Sequence, residues 1–140
     1  PANLIPFLTQ SVAGIRGPLQ VWGTDYPTPD GTAIRDYIHV VDLAKAHVKA
    51  LNYADEMNKS VDVFNVGTGN GTTVLEVIRA FENINGIKLN YKIGQRRPGD
   101  IEQIWADTTK VSEALGWKPQ YGVEDMMKHA WAWQQGLTKP

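Results

Sequence analysis

Residues 63–81 read VFNVGTGNGTTVLEVIRAF. A β-like run ends in three closely spaced glycines, Gly67, Gly69 and Gly71, and an apolar helical pattern follows. This is the outline of a phosphate-cradling loop at the start of a dinucleotide-binding fold. Such a fingerprint needs G-x-G-x-x-G, its third glycine allowing tight helix–strand packing, and a carboxylate about 20 residues on for the ribose. Here the last glycine comes one residue early, and Lys88, Leu89 and Asn90 fill the downstream window. The unit also sits mid-chain rather than opening a doubly wound sheet. The pattern predicts a tight turn into a capped helix, with no cofactor in the loop. Thr73 and Glu76 form its capping box, Val74, Val77, Ile78 and Phe81 its apolar face, and Gly86 its C-cap.

Upstream, Asp42 is placed to N-cap a helix through Ala54, with Leu43, His47, Ala50, Leu51 and Ala54 on one face. RDYIHV (35–40) alternates as a strand does, and residues 61–66 form another. TDYPTPDGTAI (24–34), crowded with Pro, Asp, Gly and Thr, is a loop long enough to suggest function. LQVWG (19–23) is a short strand. Before it, Leu4, Phe7, Leu8, Val12 and Ile15 share one face of a helix over 4–15, with Pro6 in the first turn.

Downstream, KLNYKIG (88–94) is a strand, QRRPGD (95–100) an exposed loop, and 104–106 extended. Asp107 or Thr108 caps a short helix ending at Gly116. A last helix from about Val123 carries Met126, Met127, Ala130, Trp131 and Trp133. Strands alternate with helices, so the class is α/β or mixed α+β.

The 140 residues suffice for one modest domain. A net charge of −1 with scattered Lys/Arg argues against nucleic-acid and membrane surfaces. No run approaches the roughly 20 apolar residues of a membrane span. With no cysteine there is no disulfide framework and no thiolate metal site, which fits a reducing cytoplasm. The chain opens on Pro1 rather than Met, consistent with a start inside a longer gene product.

His39, His47 and His129 lie in separate elements and are expected to be structural, so no metal is expected. Glu124 and Asp125 suit the positive end of the last helix better than acid/base work. Among the five tryptophans, Trp117, Trp131 and Trp133 fall at core positions, and Trp22, beside the long loop, remains open to a ligand. Arg35 and Arg97, on separate loops, suit a diphosphate through forked, charge-assisted hydrogen bonds, and Asp100 could accept from ribose hydroxyls. Surface Arg–Asp pairs are more commonly structural, and that alternative stands on the residues alone.

ANLIPF (2–7), LQVWGTDYPTPDGTAIRDYIHVVDLAKAH (19–47), FNVGTGNG (64–71), RRPGDI (96–101) and ALGWKP (114–119) resemble the UDP-glucose 4-epimerase family of extended short-chain dehydrogenase/reductases. The likeness runs in order from Asn3 to the C-terminus and matches the small C-terminal, substrate-binding part. It implies that residues 1–140 are one nucleotide-sugar-binding domain. Sister nucleotide-sugar enzymes share the Arg-Asp and Gly-Asp elements but usually have a shorter loop before the arginine.

The resemblance implies that Asn3 and Leu4 hold the pyrophosphate and neighbouring groups, and that Gln20, Val21 and Trp22 receive the uracil. Arg35 and Arg97 match the diphosphate arginines with Tyr37 beside them, Asp100 the ribose contact, and Ile104 the gate of the hexose pocket. It implies no catalytic residue here. The family's Tyr-x-x-x-Lys dyad and NAD site belong to an N-terminal Rossmann domain, and no tyrosine of this sequence has Lys four positions later. The chain is thus expected to be an inactive fragment of an isomerase in galactose metabolism, cytoplasmic, its parent dimerising through the missing half. In the family NAD⁺ oxidises C4 of UDP-glucose or UDP-galactose, the keto sugar turns, and hydride returns to its other face. The alternatives are another nucleotide-sugar epimerase or dehydratase, and a non-catalytic UDP-sugar-binding module.

Overall fold

The structure, a computed structural model, describes residues 3–137. Pro1 and Ala2, including the first residue of the ANLIPF motif, and residues 138–140 lie outside the described part. Five helices and four short strands follow one another as α1 (Leu4–Val12), β1 (Leu19–Trp22), β2 (Ile34–Arg35), α2 (Val40–Glu56), β3 (Thr72–Thr73), α3 (Val74–Asn85), β4 (Tyr91–Gly94), α4 (Thr109–Leu115) and α5 (Val123–Leu137) among these residues. β1 pairs in parallel with β4, and β2 in antiparallel with β3. The mixed α/β class expected from the alternation holds.

α3 is the centre of the main core. Val77, Ile78 and Phe81 fall on one helical face and are at most 2% exposed, packed against Leu8 of α1, Leu19 and Val21 of β1, and Met126 and Met127 of α5. Its ends follow local chemistry. The Thr73 hydroxyl accepts from the Glu76 N–H at 3.0 Å, and the Glu76 carboxylate accepts from the Thr73 N–H at 2.7 Å. Gly86 closes the helix at φ +65°, a left-handed conformation that glycine adopts without steric cost. A second cluster joins Ala46 of α2 to Val111, Leu115 and Trp117 around α4.

Several boundaries differ from the sequence reading. His39, not Asp42, caps α2, its Nδ1 accepting from the Val41 N–H at 3.0 Å. Asp42 lies inside the first turn, fully buried, where Oδ2 accepts from the N–H groups of Gln120 and Tyr121. The buried face of α2 is consequently Asp42 and Ala46, with Ala50 and Tyr53 packed beside them, while Leu51 is 69% exposed. α1 stops at Val12 because Gly14 turns the chain at φ +72°, leaving Ile15 exposed.

RDYIHV pairs only through Arg35, because β3 offers just two residues. Residues 61–66 join no sheet, and Lys110 donates to the Val63 carbonyl at 2.7 Å. Trp133, expected in the core, is 70% exposed, whereas Trp131 meets Phe81 edge to face at 5.9 Å between ring centroids. Among the described residues no helix is long and apolar enough to cross a membrane, and no group of three His, Cys, Asp or Glu is placed to hold a metal.

Candidate functional site

The glycine loop does hold an anion, and the anion belongs to the protein. Asp36 accepts from the Thr68 N–H at 2.8 Å, the Thr68 hydroxyl at 2.5 Å and the Gly69 N–H at 3.1 Å, and Ala106 adds its N–H at 3.2 Å. A side chain on Gly67 would run into the Asp36 carboxylate and Ala106 Cβ, so the loop is already full. NAD therefore finds no cradle in these glycines.

What the packing does create is a cleft of about 430 Å³ between the N-terminus of α1, the edge of β1, β2 and the loop 95–100. Eight of the ten expected ligand residues line it: Asn3, Leu4, Gln20, Trp22, Arg35, Tyr37, Arg97 and Asp100. The pleat of β1 explains the split within Gln20, Val21 and Trp22. Side chains alternate, so Gln20 and Trp22 face the cleft while Val21 is 1% exposed in the core. Any part of Val21 in receiving the uracil therefore falls to its backbone, since its side chain is in the core. Ile104 lines a neighbouring cavity of about 500 Å³ with Phe64, Asn65 and Trp105, and Arg35 borders both spaces.

Arg35 donates through Nη1 to the Ile34 carbonyl at 2.7 Å and through Nη2 to Asp100 Oδ1 at 2.8 Å. Two of its five N–H donors are used, leaving three for a ligand. Arg97 lies over the Trp22 ring, 5.0 Å from the centroid, and among the described residues no carboxylate pairs with it. A guanidinium stacked on an indole is held in one plane with its fork open. Burial pushes the Tyr37 phenol up to about 12, against a smaller pull from Arg35, so it remains protonated. The cleft thus offers two cations from distant segments, an aromatic face, an amide and a phenol, which suits a diphosphate carrying an aromatic base.

Supporting residues escaped the sequence reading. Gly94 lies flat against the base end: a Cβ there would meet Gln20 Nε2 at 2.6 Å and Trp22 Cε3 at 3.2 Å. Phe7, Ala33 and Val74 complete the walls. The histidines are less scattered than their spacing suggests, for His39 Nε2 and His129 Nδ1 are 2.9 Å apart. Because His39 Nδ1 accepts from Val41, its Nε2 carries the proton and donates to His129. His47 stays apart and exposed.

A family model described as GDP-mannose 4,6 dehydratase matches residues 2–130. The chain belongs to this family. Within it, the chain is 48% identical over 133 residues to UDP-glucose 4-epimerase 2 of Arabidopsis thaliana, covering 95% of the chain and 38% of that relative. It superposes with a TM-score of 0.94 and 44% identity on a UDP-glucose-4-epimerase from Stenotrophomonas maltophila solved with NAD and formylated UDP-arabinopyranose, covering 99% of the chain and 41% of that protein. The epimerase of Bifidobacterium longum, in complex with NAD⁺ and UDP, gives 0.90 and 47%, covering 97% of the chain and 40% of that protein. The expected resemblance to UDP-glucose 4-epimerases is borne out, and the chain spans about 40% of the length of these relatives.

Proposed function

We propose that residues 1–140 are the nucleotide-sugar-holding domain of a UDP-glucose 4-epimerase. The observation that carries this is the convergence of Arg35 and Arg97 on one cleft, with Trp22 at its base end and Asp100 beside Arg35. Arg35 and Arg97 clasp the diphosphate, with Asn3 and Leu4 at its flank. Trp22 and Gln20 face the uracil and Asp100 the ribose. The hexose extends past Arg35 towards Ile104, the residue at the gate of that neighbouring space.

This division of labour suits a reaction in which a sugar must turn while its carrier stays put. Binding energy from the non-reacting nucleotide can retain the oxidised sugar without gripping it. NAD supplies the redox chemistry in such enzymes. The chain's own residues do not fit it, since Asp36 fills the glycine loop, so the cofactor belongs on another segment. The same reading puts the whole protein in galactose metabolism in the cytoplasm, as a homodimer formed outside these residues, with no nucleic acid or membrane as partner.

Calorimetric titration of the chain with UDP, and with GDP as control, tests the reading. UDP should bind more tightly than GDP, and Arg97→Ala should weaken UDP by about 10- to 100-fold, the worth of a charged hydrogen bond to phosphate. Equal affinity in Arg97→Ala and the unsubstituted chain would refute the assignment.

A further inference from the structure

The consecutive arginines of the loop 95–100 have opposite partners. Arg97 lies over Trp22 at the cleft. Arg96 reaches instead to the loop 24–34, where its Nε donates to Asp25 Oδ1 at 2.8 Å and its Nη2 to the Asp25 carbonyl. Its guanidinium carbon sits 4.0 Å from the centroid of the Tyr26 ring.

The loop 24–34 is a firm platform. Tyr26 is 4% exposed and its N–H donates to the Gly31 carbonyl at 3.0 Å. Asp30 accepts from the Thr32 N–H and hydroxyl, and from the Thr73 hydroxyl at 2.6 Å. The loop 95–100 is the reverse case: it is exposed throughout, and its backbone contributes one hydrogen bond, from the Asp100 N–H to the Arg97 carbonyl at 3.2 Å.

We infer that Arg96 is a positioning residue: by engaging Asp25 and Tyr26 it fixes the exposed loop from which Arg97 and Asp100 meet the diphosphate and ribose. The inference rests on the UDP reading of the cleft. Gly23, at φ +81°, fits the same design, since a Cβ there would meet Arg96 Cγ and Tyr26 Cε2 each at 2.7 Å. The Arg96 hydrogen bond also holds the Asp25 carboxyl below the ordinary carboxylate range, so the ion pair persists at neutral pH. A loop ordered beforehand does not have to be ordered by the ligand, and that difference appears as affinity.

The rival is that Arg96 turns in and binds phosphate itself. Asp25→Asn separates the two, because it removes the ion pair while leaving Arg96 and its contacts with the residue 25 carbonyl and Tyr26 in place. In the chain, Arg96→Gln and Asp25→Asn should each lower the NMR order parameters of the Gly99 and Asp100 amides before ligand is added. Each should then weaken UDP by about 3- to 10-fold, and Asp25→Asn should do so with an unchanged Tm, since the Asp25 side chain is 75% exposed. The double variant should be no weaker than Arg96→Gln alone. Unchanged order parameters in both variants overturn the inference. So does tighter UDP binding by Asp25→Asn, which would make Arg96 a ligand. Failure of the unsubstituted chain to bind UDP sinks the UDP reading, while the order parameters still decide the pinning.

Discussion

The Asp100 carboxylate stands 2.8 Å from the guanidinium of Arg35, 65 positions earlier in the chain, so one wall of the cleft carries an internal ion pair. The two side chains are 30% and 26% exposed. A pair this open contributes about 0–1 kcal/mol, so an incoming diphosphate can displace the carboxylate at small cost.

Asp100→Asn should therefore raise the affinity for inorganic pyrophosphate by about 2- to 5-fold, the worth of the freed arginine. UDP should gain less, or lose, because the ribose acceptor goes with the charge. Calorimetry with both ligands checks this. An identical factor for UDP and pyrophosphate would rule out the ribose contact.

Asp36→Ala should empty the glycine loop. Donors from Thr68, Gly69 and Ala106 would lose their acceptor, at about 1–3 kcal/mol for each one left dry. Formate or acetate should restore part of the lost Tm, because a small carboxylate fits the vacated place. If chloride restores as much at equal ionic strength, the loop is not reading a carboxylate.

Acid should loosen the joint between α2 and α5. Burial pushes the His39 imidazole below its ordinary value, with further repulsion from His129, and Asp42 and Asp125 opposing. Tyr121 stacks on the ring at 4.3 Å, and Lys45 faces Tyr121. A depressed histidine favours the unfolded state once that state takes up a proton. Stability is then full above the unfolded value of about 6.5 and declines as pH falls below it. His39→Asn, which keeps a capping side chain, should flatten the slope of Tm between pH 6.5 and 5. Parallel slopes in the two proteins would exclude His39 as the cause.

Thr73→Ala should cost more than an ordinary cap. The hydroxyl accepts from Glu76 and also donates to Asp30. Loss of the cap is worth about 1 kcal/mol, and loss of the hydrogen bond to Asp30, which keeps Thr32 and Arg79 as partners, adds up to about another. Urea unfolding would show it as a lower midpoint at constant m, whereas a loss no larger than the roughly 1 kcal/mol of an ordinary cap would mean the Asp30 contact is redundant.

Much of this was legible from neighbours in the chain. The capping box of α3, its glycine stop and its buried stripe follow from spacings of three and four residues, within one turn of backbone. Trp22, Arg35, Arg97 and Asp100 stand out by their own chemistry, whereas Asn3, Leu4, Gln20, Val21 and Ile104 are candidates only through the family resemblance. The errors arose where a distant partner outbid a local rule. Asp42 has the chemistry of a cap, yet the segment at Gln120 and Tyr121 claims its carboxylate. Trp133 has the spacing of a core residue, yet α5 leaves it 70% exposed.

The sequence by itself determined the order of the five helices, the ends of α3, the unsuitability of the glycine loop for a dinucleotide, and the family to which the chain belongs. Only the tertiary structure decided that Arg35 and Arg97 share a cleft, that Asp36 fills the loop, and that Arg96 and Arg97 face different partners. Local rules act over a few residues through backbone geometry. Meetings between side chains many tens of residues apart depend on how α1, α3, α5 and the paired strands pack, and no spacing in the sequence encodes that distance.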